Sequence, residues 1–434
     1  MHISEALFNA SNQAICLLFI LLIPLAGAGL ALISTGLNRS HSAAHAMLSS
    51  IVIGTVAMLT YFVIGFAFEG IAGQPAHAFS IAGKNWDWLG AGSLFFAAVG
   101  LDGRPASLAV IFGLFTVPIA SMIPAASLGE RWRLGASCAS TTLFAAWTYP
   151  LFAHWVWGGG WLAQMGAQFG LADFMDSGGS GCIHATGGLT ALALAWIIGP
   201  RRGRFTADGI PTAMPGHNAV VVLFGCVLAF IGFLGLNSAG AILFATRTPA
   251  QTVLVGVNTA LAAAAAALTA LATTRIRFGR PDASLTANGW VAGLVAISAG
   301  CAFVKPAEAV LIGMVAGALV IFAIELLELR MKIDDPTGAI AVHAGGGIWG
   351  VLAVGIFARV SSVEASSQFL AQSVGIASLL GLILPLTYGM NRLLNRFVRQ
   401  RVTAESERQG TDLFELGAGA YPEFVTHRED WMRH

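Results

Sequence analysis

Two stretches decide the fold: Asp176-Ser177-Gly178-Gly179-Ser180-Gly181-Cys182-Ile183-His184-Ala185-Thr186-Gly187-Gly188 and Asp335-Pro336-Thr337-Gly338-Ala339-Ile340-Ala341-Val342-His343-Ala344-Gly345-Gly346-Gly347. Each reads D-x7-H-A-x-G-G, and beyond its aspartate each runs on through apolar residues with no formal charge. An ionisable residue inside such a run is expensive in hydrocarbon and marks a functional candidate. Counted by apolar runs, the two copies lie five spans apart. Five is odd, so they cross a membrane in opposite directions, as in an inverted repeat whose sites form near the midplane. A helical rise of about 1.5 Å per residue puts each histidine about 12 Å below its aspartate. In a hydrocarbon core about 30 Å thick, the two imidazoles then meet near the middle. The glycines behind them remove the bulk that would hold the helices apart.

The remaining composition agrees. The 434 residues are 56% hydrophobic and only 10% charged, with mean hydropathy +0.74. A soluble globular protein carries about 25% charged residues. That shortage of charge excludes a disordered chain, a nucleic-acid binder and a soluble enzyme. The net charge of +1 offers no field for an acidic partner, and the 52 glycines suit close helix packing in a bilayer. The five cysteines (Cys16, Cys138, Cys182, Cys226, Cys301) lie in or beside apolar runs without a C-x-x-C pair, so they read as small buried hydrophobes. Met1 to Asn12 holds Glu5 and no basic residue. The first apolar run is therefore expected to be a retained helix, not a cleaved signal.

Runs free of Asp, Glu, Lys and Arg, at about 20 residues per crossing, predict eleven spans: about 13–34, 46–68, 105–129, 134–157, 178–199, 217–238, 251–274, 285–304, 309–327, 338–358 and 369–391. Basic residues set the orientation. With the N-terminus outside, the inner side collects Arg39, Arg131, Arg133, Arg201, Arg202, Arg204, Arg275, Arg277, Arg280, Arg330, Lys332 and the tail arginines. The outer side keeps Lys84, Arg104, Arg247, Lys305 and Arg359. The expected fold class is an all-α polytopic membrane protein, N-out and C-in, with two inverted five-helix repeats and an extra C-terminal helix. Residues 1–391 form the membrane domain. Residues 392–434 form a polar cytoplasmic tail, either a solvated extension or a docking surface.

Two imidazoles in an apolar passage favour a small molecule that donates hydrogen bonds. Desolvation disfavours imidazolium, so neutral rings are expected to accept a hydrogen bond or a proton. A single intramembrane histidine is often structural, and a bis-histidine haem is the other alternative. The matched positions favour a passage. His154, near the outer end of span four, is a candidate for an outer vestibule. His41, His45 and His217 sit near span boundaries, and His2, His77, His427 and His434 lie in loops or at chain ends. An enzyme is not expected: there is no nucleophile elbow, P-loop or metal-ligand cluster, and no cofactor is implied.

At this point the chain resembles the ammonium transporter (Amt/Mep/Rh) family along nearly its whole length. The resemblance is carried by AHWVWGGGWL (Ala153–Leu162), the Asp176/His184 segment, PGHN (Pro215–Asn218), NGWVAGLVAIS (Asn288–Ser298), KIDDPTGAIAVH (Lys332–His343) and GTDLFELGAGAY (Gly410–Tyr421). It implies a homotrimer with one pore per subunit, set among the lipids of the cell inner membrane and carrying ammonium or ammonia. By match, Trp157 supplies a cation–π face, Phe112 the neighbouring aromatic wall, and Asp176 supports the outer site. His184 and His343 become the pore pair, and Asp335 the inner counterpart of Asp176. The plainer alternatives are an interfacial belt residue for Trp157 and helix caps for the two aspartates.

Several positions depart from the family pattern. Relatives stack two phenylalanines as a gate below the outer site; here Thr116 and Leu236 take those positions, with Phe115 beside the first. Gly240 stands where many relatives have serine, so an outer hydroxyl is expected to be missing. The Thr116 hydroxyl is expected either to wet the entrance or to leave its sealing to Phe112 or Phe115, with Pro118 and Pro124 available to distort the helix. Leu416 and Ala418 replace more usual polar residues in the tail, against standard coupling to a PII-type regulatory protein. Two functions stay open: transport through a variant gate, and an ammonium sensor on the same scaffold.

Overall fold

The computed structural model describes residues 10–358 and 365–421. Arg359 and the histidines and acidic residues at the two chain ends (His2, Glu5, Glu423, His427, Glu429, Asp430, His434) lie outside the described residues. Among those described, nine helices are long and apolar enough to cross a membrane. They are α1 (Ala10–Leu37), α2 (Ser40–Glu69), α3 (Pro105–Ser127), α5 (Ser180–Ile198), α6 (Ala219–Phe244), α7 (Pro249–Phe278), α9 (Pro306–Arg330), α10 (Ile340–Phe357) and α11 (Ala365–Phe397). Two further helical segments stand at the remaining expected places. One is α4, running through Leu134–Leu143, Phe144–Thr148 and Tyr149–Val156; the other is the shorter α8, Ala283–Ser298. The chain is a multi-pass membrane protein.

Local chemistry sets the helix ends. Asn218 accepts from the Val221 N–H at 3.0 Å and Asp282 from the Leu285 N–H at 2.8 Å, capping α6 and α8. Prolines open α3 and α9 at Pro105 and Pro306, where the lost N–H has no partner anyway. Apolar side chains such as Val220, Val253 and Ile276 stand 76%, 72% and 84% exposed, which suits lipid and not water. Between α1 and α6 the contact is backbone to backbone. A Cβ at Gly29 would strike the Gly225 carbonyl and the Ala229 backbone, and one at Gly232 the Ala26 backbone. Small residues let these helices close.

The fold is mostly helical, with one addition that the sequence reading does not include. A two-stranded antiparallel hairpin, β1 (Ala76–Ile81) and β2 (Lys84–Gly90), lies between α2 and α3, with a bulge between His77 and Ala78. Aromatic residues alternate on its strands, and Ala82-Gly83 turns the chain with positive φ at both residues. His154 does not line a vestibule. It is buried in α4, with Nδ1 2.6 Å from the Glu69 carbonyl and Nε2 2.8 Å from Asp87 Oδ1. It anchors the hairpin, together with the Trp155 indole N–H donated to the Trp88 carbonyl at 2.8 Å.

At the opposite end the charged residues form one buried cluster. Glu130 receives Arg39 and Arg201, the latter at 3.0 Å. Asp334 receives Arg201 at 2.9 Å, Arg204 at 3.3 Å and Arg131 at 3.6 Å. Burial alone raises the Asp334 carboxyl, but Arg131 and Arg201 outweigh it and hold it well below the usual carboxylate range. The tail folds back onto this end. A short helix, α12 (Ala404–Gln409), presents Glu407 to Arg401 at 2.9 Å, and Arg401 donates to the carbonyls of Ile198 and Pro200. Asp412 accepts from the Ala44 and His45 N–H groups at 3.1 and 2.7 Å, closing the start of α2.

A depressed carboxylate stabilises the fold fully above its unfolded pKa and loses that contribution as pH falls through the acidic range. Acidification below about pH 4 is therefore expected to lower the melting temperature steeply. Asp334→Asn leaves Arg131 without its ion-pair partner and Arg201 with Glu130 alone, with an expected cost of roughly 3–5 kcal/mol. Thermal unfolding in mild detergent, across pH and with this variant, checks both.

Candidate functional site

Each histidine is delivered by a capped, widened helix start. Asp176 Oδ1 accepts from the Gly179 N–H, and Oδ2 from the Gly181 and Cys182 N–H groups, all at 2.9 Å. Asp335 Oδ2 accepts from the Ile340 N–H at 2.7 Å. The aspartates thus sit ahead of their helices as caps and are not the first helical residues. Both helices begin with a π turn, Ser180–Ala185 and Ile340–Gly345, and each π turn carries the histidine. Single π turns recur at functional sites because they re-aim a side chain within a helix.

The glycines behind the histidines do what their size allows. A Cβ at Gly188 would collide with the Ala344 backbone, and one at Gly347 with Ser180 O and Ala185 N. So the helix behind each histidine runs over the π turn of the other, and the two cross antiparallel. The imidazoles meet there, with Nδ1 atoms 3.2 Å apart and ring centroids 5.1 Å apart. Such a contact needs one Nδ1–H donor and one Nδ1 lone pair, so the rings hold opposite tautomers. One Nε2 then carries a proton and the other a lone pair. His184 is fully buried, its Nε2 has no hydrogen-bond partner among the described residues, and the Phe233 ring stacks on it at 5.1 Å. His343 borders a chamber of about 30 Å³ on the tail side, lined also by Ser34, Ser50, Asn288 and Thr337.

Toward the hairpin end, Trp157 donates its indole N–H to the Asp176 carbonyl at 2.7 Å. Its ring lies parallel to Phe244, with centroids 4.7 Å apart and planes 9° apart. Phe112 meets both edge-on, at 5.6 Å from Trp157 and 5.2 Å from Phe244. Beside them is a cavity of about 10 Å³ bordered by Trp157, Asp176, Ser177 and Phe244, about the size that holds one water.

The substituted gate positions differ from expectation in one respect. Thr116 and Leu236 are both fully buried, but the Thr116 hydroxyl is taken up within the protein. It lies 3.0 Å from the Tyr149 hydroxyl and 3.3 Å from the Gly113 carbonyl. Phe115 stays half-buried against the core, and α3 remains α-helical through Pro118 and Pro124. Nothing turns Phe115 inward. Phe112 is the aromatic that joins Trp157, and its partner there is Phe244, which the sequence reading missed, along with Phe233 and Ser177. Spacing along α6 carries a signal for two of them: Phe233, Leu236, Gly240 and Phe244 recur at three and four residues, one face of a helix.

Comparisons with known proteins converge on one group. The family model described as Ammonium Transporter Family matches residues 14–421. The chain is 35% identical over 424 residues to "Ammonium transporter Amt2" of Archaeoglobus fulgidus, covering 92% of this chain and 85% of that protein. Among solved structures it resembles one titled "Sensor Amt Protein", with TM-score 0.83, 29% identity, and coverage of 93% of this chain and 98% of that one. The fold of Saccharomyces cerevisiae Mep2 is also similar, with TM-score 0.78 at 24% identity, over 92% of this chain and 91% of that one.

If the crossing brings the imidazoles together, enlarging its smallest residue must part them. Gly188→Val is expected to separate the Nδ1 atoms beyond the roughly 3.2 Å limit of a hydrogen bond and to lower thermal stability. An experimental structure of the variant with the pair still in contact would show that the glycine does not set the approach.

Proposed function

The chain belongs to the Ammonium Transporter Family, a family of transporters and not of enzymes, and from that premise we propose that it carries ammonium or ammonia through an apolar passage past His184 and His343. The observation that carries this reading is the imidazole pair itself, in contact at 3.2 Å between two small cavities. We read the fold as eleven crossings in two inverted five-helix repeats plus α11, with the hairpin end outside and the tail end in the cytoplasm. The excess of arginine at the tail end supports that orientation. On this reading residues 1–391 are the membrane domain of an inner-membrane homotrimer. The folded-back tail is the face a PII-type regulatory protein would meet, with Leu416 and Ala418 there standing against the standard coupling.

Ammonium reaches the hairpin end as a cation, where Trp157 and Phe112 offer π faces and the Asp176 carbonyl and carboxylate add negative field. An ion that stays charged cannot follow the apolar path cheaply, because no counter-charge replaces its water. Ammonia can. The lone-pair Nε2 of the histidine pair accepts a hydrogen from it, and the protonated Nε2 of the other ring donates to its nitrogen. Asp335 supports the pair from the other side by fixing the start of α10.

A second reading, sensing with little flux, is favoured by the parallel contact of Trp157 and Phe244, which closes the mouth. One neighbouring structure is titled a sensor. Purified protein in liposomes separates the two. Transport predicts an ammonium-dependent current or internal pH change that His343→Leu reduces at least tenfold; sensing predicts binding by calorimetry without current. Assembly is checked separately. A mass three times that of the 45.1 kDa chain is expected in mild detergent, and a monomer that persists on cross-linking in native membranes would count against the trimer.

A further inference from the structure

We propose that ammonium is held at the mouth by the hydroxyl of Ser177, under a lid formed by the ring of Phe244. This rests on the preceding reading that the Trp157 end receives ammonium. Ser177 is 2% exposed, borders the 10 Å³ cavity beside Trp157 and Phe244, and its Oγ has no hydrogen-bond partner among the described residues. A buried hydroxyl left unpaired costs free energy, and a donor cation in that cavity relieves the cost. The hydroxyl expected from α6 is absent because position 240 is glycine. The same glycine is what admits Ser177, since a Cβ at Gly240 would overlap the Ser177 carbonyl. The position on α6 that lacks a hydroxyl is thus the one against which the Ser177 backbone packs.

Phe244 has the complementary part. At 4.7 Å and 9° from Trp157, its ring occupies the face on which a cation would sit, and two rings that close leave no room for an ion between them. Cation and phenyl ring compete for the same π surface. Phe244 must swing away for ammonium to reach Trp157 and Ser177, and it returns when the ion leaves. With Thr116 tied to Tyr149, Phe244 and Phe112 supply the aromatic closure that the substituted gate positions lack.

Calorimetry in detergent reads the ligand half. Ser177→Ala is expected to weaken ammonium binding about tenfold or more, as for a hydrogen bond to a charged ligand. Ser177→Thr should restore it. Gly240→Ser should not, because its side chain meets the Ser177 backbone. Phe244→Ala is expected to tighten binding roughly three- to tenfold by removing the competing ring. A labelling experiment reads the lid without reference to flux or affinity. Ser177→Cys, exposed to a small membrane-impermeant thiol reagent from outside and followed by mass, should label slowly with Phe244 present and at least ten times faster with Phe244→Ala. Equal labelling rates overturn the lid. Unchanged affinity in Ser177→Ala, with the parent binding ammonium, overturns the hydroxyl assignment and leaves the transport reading standing. A parent that binds no ammonium overturns the hydroxyl assignment, and one that also gives no liposome current or internal pH change overturns the transport reading with it.

Discussion

The structure depends on one close approach, where the backbones of α5 and α10 cross at Gly188 and Gly347. Each glycine admits the main chain of the opposite helix, against Ala344 on one side and against Ser180 and Ala185 on the other. That distance is what places two imidazoles in contact in an otherwise apolar interior. A hydrogen bond between neutral rings returns only about 1 kcal/mol net, too little to draw two helices together. The causal order therefore runs from packing to chemistry. Small residues fix the crossing, the crossing fixes the rings, and the rings settle into opposite tautomers because no other arrangement satisfies two facing nitrogens.

The charged cluster at the tail end secures both partners of that crossing. Asp334 immediately precedes Asp335, the residue that caps α10, and Arg201 follows α5 by three residues. Arg131 donates to the Gly199 carbonyl at 2.9 Å and to the Asp334 carbonyl at 2.6 Å, bridging the end of one helix and the start of the other. The tail joins through Arg401, which holds the carbonyls of Ile198 and Pro200 while pairing with Glu407. Desolvating so many charges makes such a cluster a poor source of net stability. Its value is geometric, because each ion pair is satisfied in only one relative placement of α5, α10 and the tail.

How much of this could be read beforehand follows from how local each feature is. The D-x7-H-A-x-G-G repeat and the apolar runs are contiguous, so the pairing of His184 with His343 and the helical places came straight from spacing. For the aspartates a capping role is compatible with a role in the site, and their bonds to the N–H groups of Gly179, Gly181, Cys182 and Ile340 show the capping. The hairpin was lost because two six- and seven-residue strands inside a long connection give too brief a period-two signal. Thr116 looked free to meet the passage because its partner, Tyr149, lies on another helix 33 residues away. Ser177 and Phe244 needed knowledge of which face of α6 met which loop, and only the missing side chain at Gly240 reveals that.

The mouth and the histidine pair impose different constraints on the same journey. In the proposed passage, selectivity at the pair comes from desolvation. A cation loses its water with nothing charged to replace it, so the barrier separates ammonium from ammonia whatever the rate of arrival. At the mouth, a π face, a carbonyl and a buried hydroxyl all favour the cation, and each added contact deepens the well from which it must leave. Conduction requires sites attractive enough to enter and weak enough to depart. As proposed, a hydroxyl at Ser177 and a cover at Phe244 shift that balance toward residence. On the proposed function, the histidine pair sets which species can pass, while Ser177 and Phe244 set how long each ion waits. On that reading, what separates transport from sensing in this chain is the depth and closure of one small cavity, with the helices and the twin imidazoles unchanged.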